Sequence, residues 1–203
     1  TRYGKKSLVV ATMLVLIFSM AFYAPISEGA PFVKKIRIGV VAPWGDIPDY
    51  YGYEEWDRDF FKNIMEPDIN AYLAKLPKAR FSPRTQVEFI IESAGPEGDS
   101  AIHLDMVKKF HMMGVDLIIG GYYTYLAADS LDYVNKHNMV MISPTATGTS
   151  LSIANDNLFR LLPDDAGQGV AIASLLEYRG ITKLVVIQPL DDPWADGIVA
   201  SIE

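Results

Sequence analysis

The feature that most restricts the fold of this chain is a regular alternation between short β-branched runs and longer segments with helical spacing. Four runs have the length and composition of buried strands, namely KKIRIGVVAP (34–43), TQVEFIIES (85–93), VDLIIGG (115–121) and MVMISP (139–144). Segments with helical periodicity separate them, at 54–76, 100–114 and 125–138. This order predicts an α/β fold, with a parallel sheet flanked by helices on both faces.

Local signals place both ends of one of these helices and predict an irregularity inside another. Asp99 precedes the apolar pattern of 100–114 and suits an N-cap, and Gly114 suits the turn that ends the helix. Pro67 lies inside the segment 54–76, where the missing N–H is expected to kink or interrupt the helix.

A second α/β unit is predicted to begin after residue 158. NLFRLLPDD (157–165) is expected to form one more strand, followed by a helix at 166–180, a strand at 182–189 and the start of a helix at 191–203. We therefore predict a first lobe at 35–158 and an incomplete second lobe at 159–203. The chain is expected to be part of a protein nearly twice as long, and to bind ligand more weakly by itself than the intact protein does.

The N-terminus has the order of an export signal. Arg2, Lys5 and Lys6 precede an uncharged run at 7–25, and small residues follow it. Residues 1–30 are therefore predicted to be a signal peptide or an N-terminal membrane anchor, since the run is close to the length that spans a bilayer. A buried core helix is the alternative. Export predicts a periplasmic or extracellular protein.

Composition excludes several classes of function. The net charge of -7 argues against nucleic acid, because a phosphate backbone requires a basic surface. The absence of cysteine excludes disulfides, thiolate metal sites and a cysteine nucleophile. No metal or other cofactor is expected.

Candidate catalytic residues have simpler structural explanations. His103, His111 and His137 lack metal-type spacing and are interpreted as surface or internally satisfied histidines. Ser100 follows a predicted N-cap, in the segment GDSA, and is not expected to be a nucleophile. The doublets Asp164-Asp165 and Asp191-Asp192 each precede a predicted helix, where acidic residues are favourable. The chain is therefore not expected to be an enzyme.

Three predicted loops concentrate hydroxyl and aromatic side chains. They follow the first, third and fourth strands and read APWGDIPDYYGY (42–53), GGYYTY (120–125) and SPTATGTS (143–150). Because ligands bind at the carboxyl ends of strands in such sheets, the loops predict a binding site for a small molecule. An ordinary threonine-rich turn is the alternative for 143–150.

The chain resembles a known family over roughly residues 35–203. The resemblance rests on five segments in order: KIRIGVVAP…YYG, DLIIGGYYT, MVMISPTATGTSLS, NLFRLLPDDAGQG and KLVVIQPLDDPWADG. Together they are similar to type I periplasmic binding proteins, and within these to the branched-chain amino-acid (leucine/isoleucine/valine-type) components of ABC importers. The resemblance implies two Rossmann-like lobes, the second truncated here, that close on a ligand.

The same resemblance assigns roles to individual residues. It implies that the Thr124 hydroxyl meets a ligand carboxylate, that the Thr145 carbonyl accepts from the ligand amine, and that the Thr147 hydroxyl and amide contact both groups. Tyr51 matches an aromatic residue of the first loop. Trp194 stands where the family commonly has tyrosine, which leaves the ligand's identity open.

Tyr123 and Ala146 complete the predicted site. The family's acidic anchor for the ligand amine would lie beyond residue 203.

The function predicted from these observations is ligand binding for transport. The resemblance implies an amino acid or analogue as ligand and a membrane permease as partner. Two alternatives remain open, namely the extracellular sensor domain of a receptor and an exported hydrolase.

Overall fold

The computed structural model describes residues 33–43, 58–76, 85–95 and 98–202. The strands are β1 (Lys34–Ala42), β2 (Thr85–Ser93), β3 (Leu117–Ile119), β4 (Val140–Ser143) and β5 (Leu158–Arg160). The helices are a π-helical segment (Phe60–Met65), α1 (Glu66–Lys75), α2 (Ser100–Met112), α3 (Thr124–Lys136), a 3-10 turn (Thr149–Leu151), α4 (Ala166–Tyr178) and α5 (Pro193–Ile202). The predicted signal segment 1–30 lies outside the described residues.

All five strands belong to one sheet with the order β2-β1-β3-β4-β5. The pairs β1–β3, β3–β4 and β4–β5 are parallel, with Gly39 beside Ile118, Ile118 beside Met141 and Met141 beside Leu158. The predicted parallel α/β architecture is therefore confirmed. Parallel pairing brings the carboxyl ends of β1, β3, β4 and β5 to one edge, which places the loops that follow them side by side.

Helices cover both faces of the sheet, as the sequence predicts. Successive residues of a strand point to opposite faces, so Val40 and Val41 enter two different cores. Val41 packs in a core with Phe110 of α2 and Val134 of α3. Val40 packs in the other core, with Phe61 of the π-helical segment. Burying each large apolar side chain stabilises the fold by about 1.5–3 kcal/mol relative to leaving it exposed.

The predicted ends of α2 are confirmed. The Asp99 carboxylate accepts a hydrogen bond from the Ile102 N–H at 2.9 Å, which satisfies one of the free amides of the first turn. Gly114 has a φ of +67°, the left-handed conformation in which glycine has no steric penalty.

The helix that contains Pro67 continues past the proline, so it is not interrupted there, and the alternative expectation of a kink stays a prediction. Pro67 lies in the first turn of α1, where an intrahelical N–H is not needed. Met65 and Glu66 keep right-handed helical dihedral angles. The hydrogen-bond pattern changes here from π to α, so the missing N–H alters the hydrogen-bond register and does not end the helix.

The strand predicted at 157–165 is confirmed as β5, and it belongs to the first sheet. Ser143 of β4 lies beside Arg160 of β5. The expected lobe boundary between 158 and 159 therefore falls inside this strand, and the division into two lobes stays a prediction.

The strand predicted at 182–189 is not formed. This segment has no regular secondary structure, and within the described residues it pairs with no strand. Val185 and Ile187 remain 87% and 95% exposed. A β-branched pattern specifies a strand only where a neighbouring strand supplies the hydrogen bonds, and none of the described strands lies beside it.

The two helices predicted around this segment are confirmed as α4 and α5, and they pack closely. A methyl group added at Gly169 of α4 would lie 2.3 Å from the Ser201 side chain of α5. Among the described helices, none combines the length and the apolar character that a membrane span requires.

Candidate ligand-binding site

A pocket of about 500 Å³ opens at the carboxyl edge of the sheet. Six of the seven predicted site residues line it, namely Tyr123, Thr124, Thr145, Ala146, Thr147 and Trp194. The seventh, Tyr51, lies outside the described residues. Sequence reasoning missed five further lining residues, namely Tyr122, Tyr125, Asp165, Gln168 and Asp192.

The first wall of the pocket is the N-terminal turn of α3. Gly121 takes a φ of +61° and turns the chain sharply after β3. Tyr123 occupies the N-cap position, and its side chain makes no capping hydrogen bond. The first amides of α3 are therefore not satisfied by the cap, and together with the helix dipole they favour a negatively charged group.

The threonine-rich loop after β4 is held against this helix. Thr124 is buried, and its Oγ1 accepts a hydrogen bond from the Gly148 N–H at 3.1 Å. The contact is close, because a methyl group added at Gly148 would lie 2.3 Å from the Thr124 Cγ2. On the loop's other side, the Arg160 guanidinium donates to the Gly148 carbonyl at 2.9 Å. Thr124 thus braces the loop, and its hydroxyl proton remains available for a further acceptor.

Thr145 also makes an internal hydrogen bond. Its hydroxyl donates to the Tyr122 carbonyl at 2.5 Å, which ties the β4–β5 loop to the β3–α3 loop. Its own carbonyl accepts no hydrogen bond from any described residue. The Thr145 carbonyl, which the resemblance assigns to the ligand amine, is therefore available as an acceptor.

Thr147 has two available polar groups, its hydroxyl and its amide. Its carbonyl accepts from the Asp165 N–H at 2.9 Å, which fixes the backbone. Within the described ranges, neither its hydroxyl nor its amide has a hydrogen-bond partner. Thr147 lines the pocket, and these two groups can bind a ligand without breaking an existing bond.

Aromatic rings form the apolar part of the lining. The rings of Tyr123 and Tyr125 stack in parallel, with centroids 5.6 Å apart and planes 8° apart. Trp194 is 41% exposed, and its indole N–H donates to the Asp165 carboxylate at 2.6 Å. These side chains offer flat apolar surfaces to a ligand.

Two carboxylates stand beside the aromatic rings. The Asp165 carboxylate accepts from the indole N–H of Trp194. The Asp192 carboxylate accepts from the backbone N–H of Trp194 at 2.9 Å and so caps α5. The sequence interpretation of Asp192 as an acid at a helix start is therefore confirmed. Its place at the pocket was missed because a capping role already explained it. The signal that could have found it is its position two residues before Trp194, a predicted site residue.

The three histidines lie outside the pocket, and each has a partner. His103 is fully buried, with its Nδ1 2.8 Å from the Ser130 hydroxyl. His111 Nδ1 lies 2.8 Å from Asp116, and the ring of His137 stacks on Tyr133 at 4.1 Å. The interpretation as surface or satisfied histidines is thus confirmed.

Burial lowers the pKa of His103 to about 4, against a smaller opposing effect of Asp129. In the described part of the chain, no three side chains group as metal ligands would.

A protein-family model described as "Receptor family ligand binding region" matches residues 68–200. No relative was found among curated proteins.

Many solved structures share the fold. An ABC transporter substrate-binding protein from Desulfitobacterium hafniense superposes with a TM-score of 0.58 at 18% identity, over 83% of this chain and 46% of that one. The branched-chain amino acid substrate-binding protein LivJ of Streptococcus pneumoniae, in complex with isoleucine, gives 0.60 at 20% identity, over 84% and 45%. A solute-binding protein of R. palustris, in complex with 4-hydroxybenzoate, gives 0.57 at 17% identity, over 83% and 42%. The chain spans less than half the length of each of these proteins.

Proposed function

The chain belongs to the family of receptor ligand-binding regions and has the type I periplasmic-binding-protein fold, and from this premise we propose that it is the extracytoplasmic solute-binding component of an ABC importer. The proposed ligand is an amino acid or a similar small polar molecule. The observation that carries the proposal is one pocket that combines free donors, carboxylates and aromatic surface.

The carboxylate of the ligand is proposed to bind between Thr147 and the start of α3. The Thr147 hydroxyl and amide are free among the described residues, and the Thr124 hydroxyl still has a proton to donate. The positive end of the α3 dipole stabilises the same negative charge. Hydrogen bonds to a charged group each contribute about 1.5–3 kcal/mol, so two or three of them account for specific binding of a small ligand.

The ammonium group of the ligand is proposed to lie toward Asp165 and Asp192. Each carboxylate has one oxygen engaged by Trp194, so the other can accept from a ligand. The free carbonyl of Thr145 is a third acceptor. Solved proteins with this fold are in complex with leucine, isoleucine or hydroxylated benzoates. A benzoate has no ammonium group, so the two aspartates favour an amino acid here.

The apolar side chain of the ligand is proposed to pack on Tyr123 and Trp194. Both rings are partly exposed at the pocket, and covering them with an aliphatic group contributes about 25 cal/mol for each Å² removed from water. We further infer binding without turnover, because no threonine hydroxyl of the described lining is hydrogen-bonded to a carboxylate or imidazole that could activate it as a nucleophile.

The second candidate function is the ligand-sensing domain of a receptor. The description of the matched family as a receptor ligand-binding region supports it. The pocket chemistry is the same in both cases, so the two functions differ only in what the protein contacts at the membrane.

Calorimetry on the intact protein tests the ligand class. L-leucine, L-isoleucine, 4-methylpentanoate (leucine without its amine), 3-methylbutylamine (leucine without its carboxylate) and 4-hydroxybenzoate would be compared. We expect an amino acid to bind and both truncated analogues to lose at least tenfold in affinity. Binding of 4-methylpentanoate or 4-hydroxybenzoate as tight as that of leucine would contradict the amino-acid assignment.

Uptake of labelled ligand by cells separates transporter from receptor. Deletion of the protein is expected to abolish high-affinity uptake if it serves an importer. Unchanged uptake, together with loss of a cellular response to the same ligand, would support the receptor instead.

A further inference from the structure

One buried chain of hydrogen bonds connects the core to both loops of the pocket. His103 Nε2 accepts from the Gly121 N–H at 2.9 Å. The Gly121 carbonyl accepts from the Ser143 hydroxyl at 2.7 Å, and the same hydroxyl oxygen accepts from the Ala146 N–H at 3.1 Å. His103 Nδ1 meets the Ser130 hydroxyl of α3 at 2.8 Å. This series of hydrogen bonds therefore joins α2, α3, the β3–α3 loop and the β4–β5 loop.

The donors and acceptors of this chain fix the state of the imidazole. Because the Gly121 N–H is a donor, Nε2 must carry the lone pair, and the proton of the neutral ring resides on Nδ1, which donates to Ser130. Both ring nitrogens are then used, and the ring is fully buried without an unpaired polar atom. An apolar side chain of similar size would fill the space but would leave the Gly121 amide without a partner.

The backbone at Gly121 cannot easily find another acceptor. Gly121 has a φ of +61°, and a methyl group there would lie 2.8 Å from the Ala127 Cβ. The peptide is therefore packed against α3 while its N–H points to the buried ring. Since a buried N–H without an acceptor is energetically costly, losing the imidazole acceptor favours a rearranged loop.

We propose that His103 is a positioning residue for the ligand pocket, which holds Gly121 and, through Ser143 and Ala146, sets the direction of the free Thr147 groups. This inference rests on the proposed function, because it assigns His103 a part in ligand affinity. His103 does not touch the pocket itself. It acts through two loops that lie side by side and supply Tyr122, Tyr123, Thr145, Ala146 and Thr147 to the pocket lining.

The test compares three variants of the intact protein. His103→Leu removes the acceptor and keeps a similar volume. His103→Gln restores an acceptor oxygen near the position of Nε2. Val107→Ala is the matched control, because Val107 is fully buried on the same helix, one turn further on, and is not part of the hydrogen-bond chain. Affinity for L-leucine and amide hydrogen exchange at Gly121, Ala146 and Thr147 would be measured for each.

We expect His103→Leu to weaken L-leucine binding about tenfold and to speed exchange at Gly121 and Ala146. His103→Gln should recover most of both losses, and Val107→Ala should lower thermal stability without changing affinity. The proposal would be overturned if folded His103→Leu exchanged its Gly121 and Ala146 amides at the wild-type rate. It would also be overturned if Val107→Ala lost as much affinity for L-leucine as His103→Leu does. If the wild-type protein binds no amino acid, the proposed function fails, and the exchange data still decide whether His103 positions the loops.

Discussion

At the scale of single residues, Thr147 is the most direct point at which to test the pocket. Thr147→Ala removes a hydroxyl that no described residue uses, so the fold should lose little stability. If that hydroxyl donates to a charged ligand group, its loss costs about 1.5–3 kcal/mol and lowers affinity roughly ten- to hundredfold. Calorimetry measures the affinity, and thermal unfolding measures the stability.

Thr147→Ser is the control for this substitution, because it keeps the hydroxyl and loses only a methyl group. Ser150→Ala, in the same loop but exposed and outside the pocket lining, should leave binding unchanged. An unchanged dissociation constant in Thr147→Ala would remove this hydroxyl from the site.

His103 predicts a specific pH dependence of stability. Burial lowers its folded-state pKa to about 4 from 6.5, so between these values the unfolded chain binds a proton that the folded chain does not. The free energy of unfolding is therefore unaffected by His103 titration above pH 6.5, and it decreases by about 3 kcal/mol as the pH falls toward 4. Asp129 favours the protonated ring and opposes the burial effect.

Denaturant unfolding at several pH values measures this dependence. The difference between wild type and His103→Gln isolates the histidine from the carboxylates that titrate in the same range. A difference that stays constant from pH 7 to pH 4.5 would show that His103 is not a buried neutral ring.

Residue-level roles were predictable where a chemical type and its position in a loop coincide. Thr145 and Thr147 after β4 and Tyr123 after β3 meet this condition, and the pocket contains them. Asp165 and Asp192 were missed because a helix start already explained them. The hydrogen bond of His103 depends on the direction of one buried amide, 18 positions along the chain, which no local pattern contains.

At the scale of the elements, β1 and α2 are in close contact. The Phe110 ring packs on Gly39, and a methyl group there would lie 2.6 Å from the ring's Cδ2 atom. Gly39→Ala should therefore push α2 from the sheet and cost about 1–3 kcal/mol. The pair Gly39→Ala and Phe110→Leu should be less destabilising together than the sum of the single variants, as measured by denaturant unfolding.

Gly167→Ala is the matched glycine control, since beyond its chain neighbours and the backbone of its own helix no atom lies within 4 Å of the added methyl group. It should leave stability unchanged or raise it slightly, because alanine is favoured inside α4. Additive effects of Gly39→Ala and Phe110→Leu would contradict the steric explanation.

The elements themselves were largely predictable because their signals are local. A two-residue or 3.6-residue period, a capping aspartate and a closing glycine located β2 and both ends of α2. The prediction of a strand at 182–189 was wrong, because pairing depends on a neighbouring strand that can be far away in the sequence. Val185 and Ile187 follow the strand pattern, yet within the described chain no strand edge meets them.

At the scale of the whole molecule, order should decrease toward the segment 182–190. Most of its large apolar side chains are exposed. Among the described residues, its one side-chain hydrogen bond is donated by Gln188 Nε2 to the Asp196 carboxylate. Segments with few buried contacts open locally at low free energy. Limited proteolysis of a protein comprising residues 31–203 should therefore cut within 182–190 before it cuts in the sheet. First cleavage inside β3 or β4 would contradict this order.

The hydrogen bond between the Trp194 indole and Asp165 makes this ring an optical reporter of the pocket. An indole beside a carboxylate, partly exposed to water, has an emission spectrum that depends on the local field and on the number of nearby water molecules. A ligand that displaces water and places an ammonium group near Asp165 should shift and change that fluorescence. Titration with L-leucine should therefore give a saturable change in emission that disappears in Trp194→Phe.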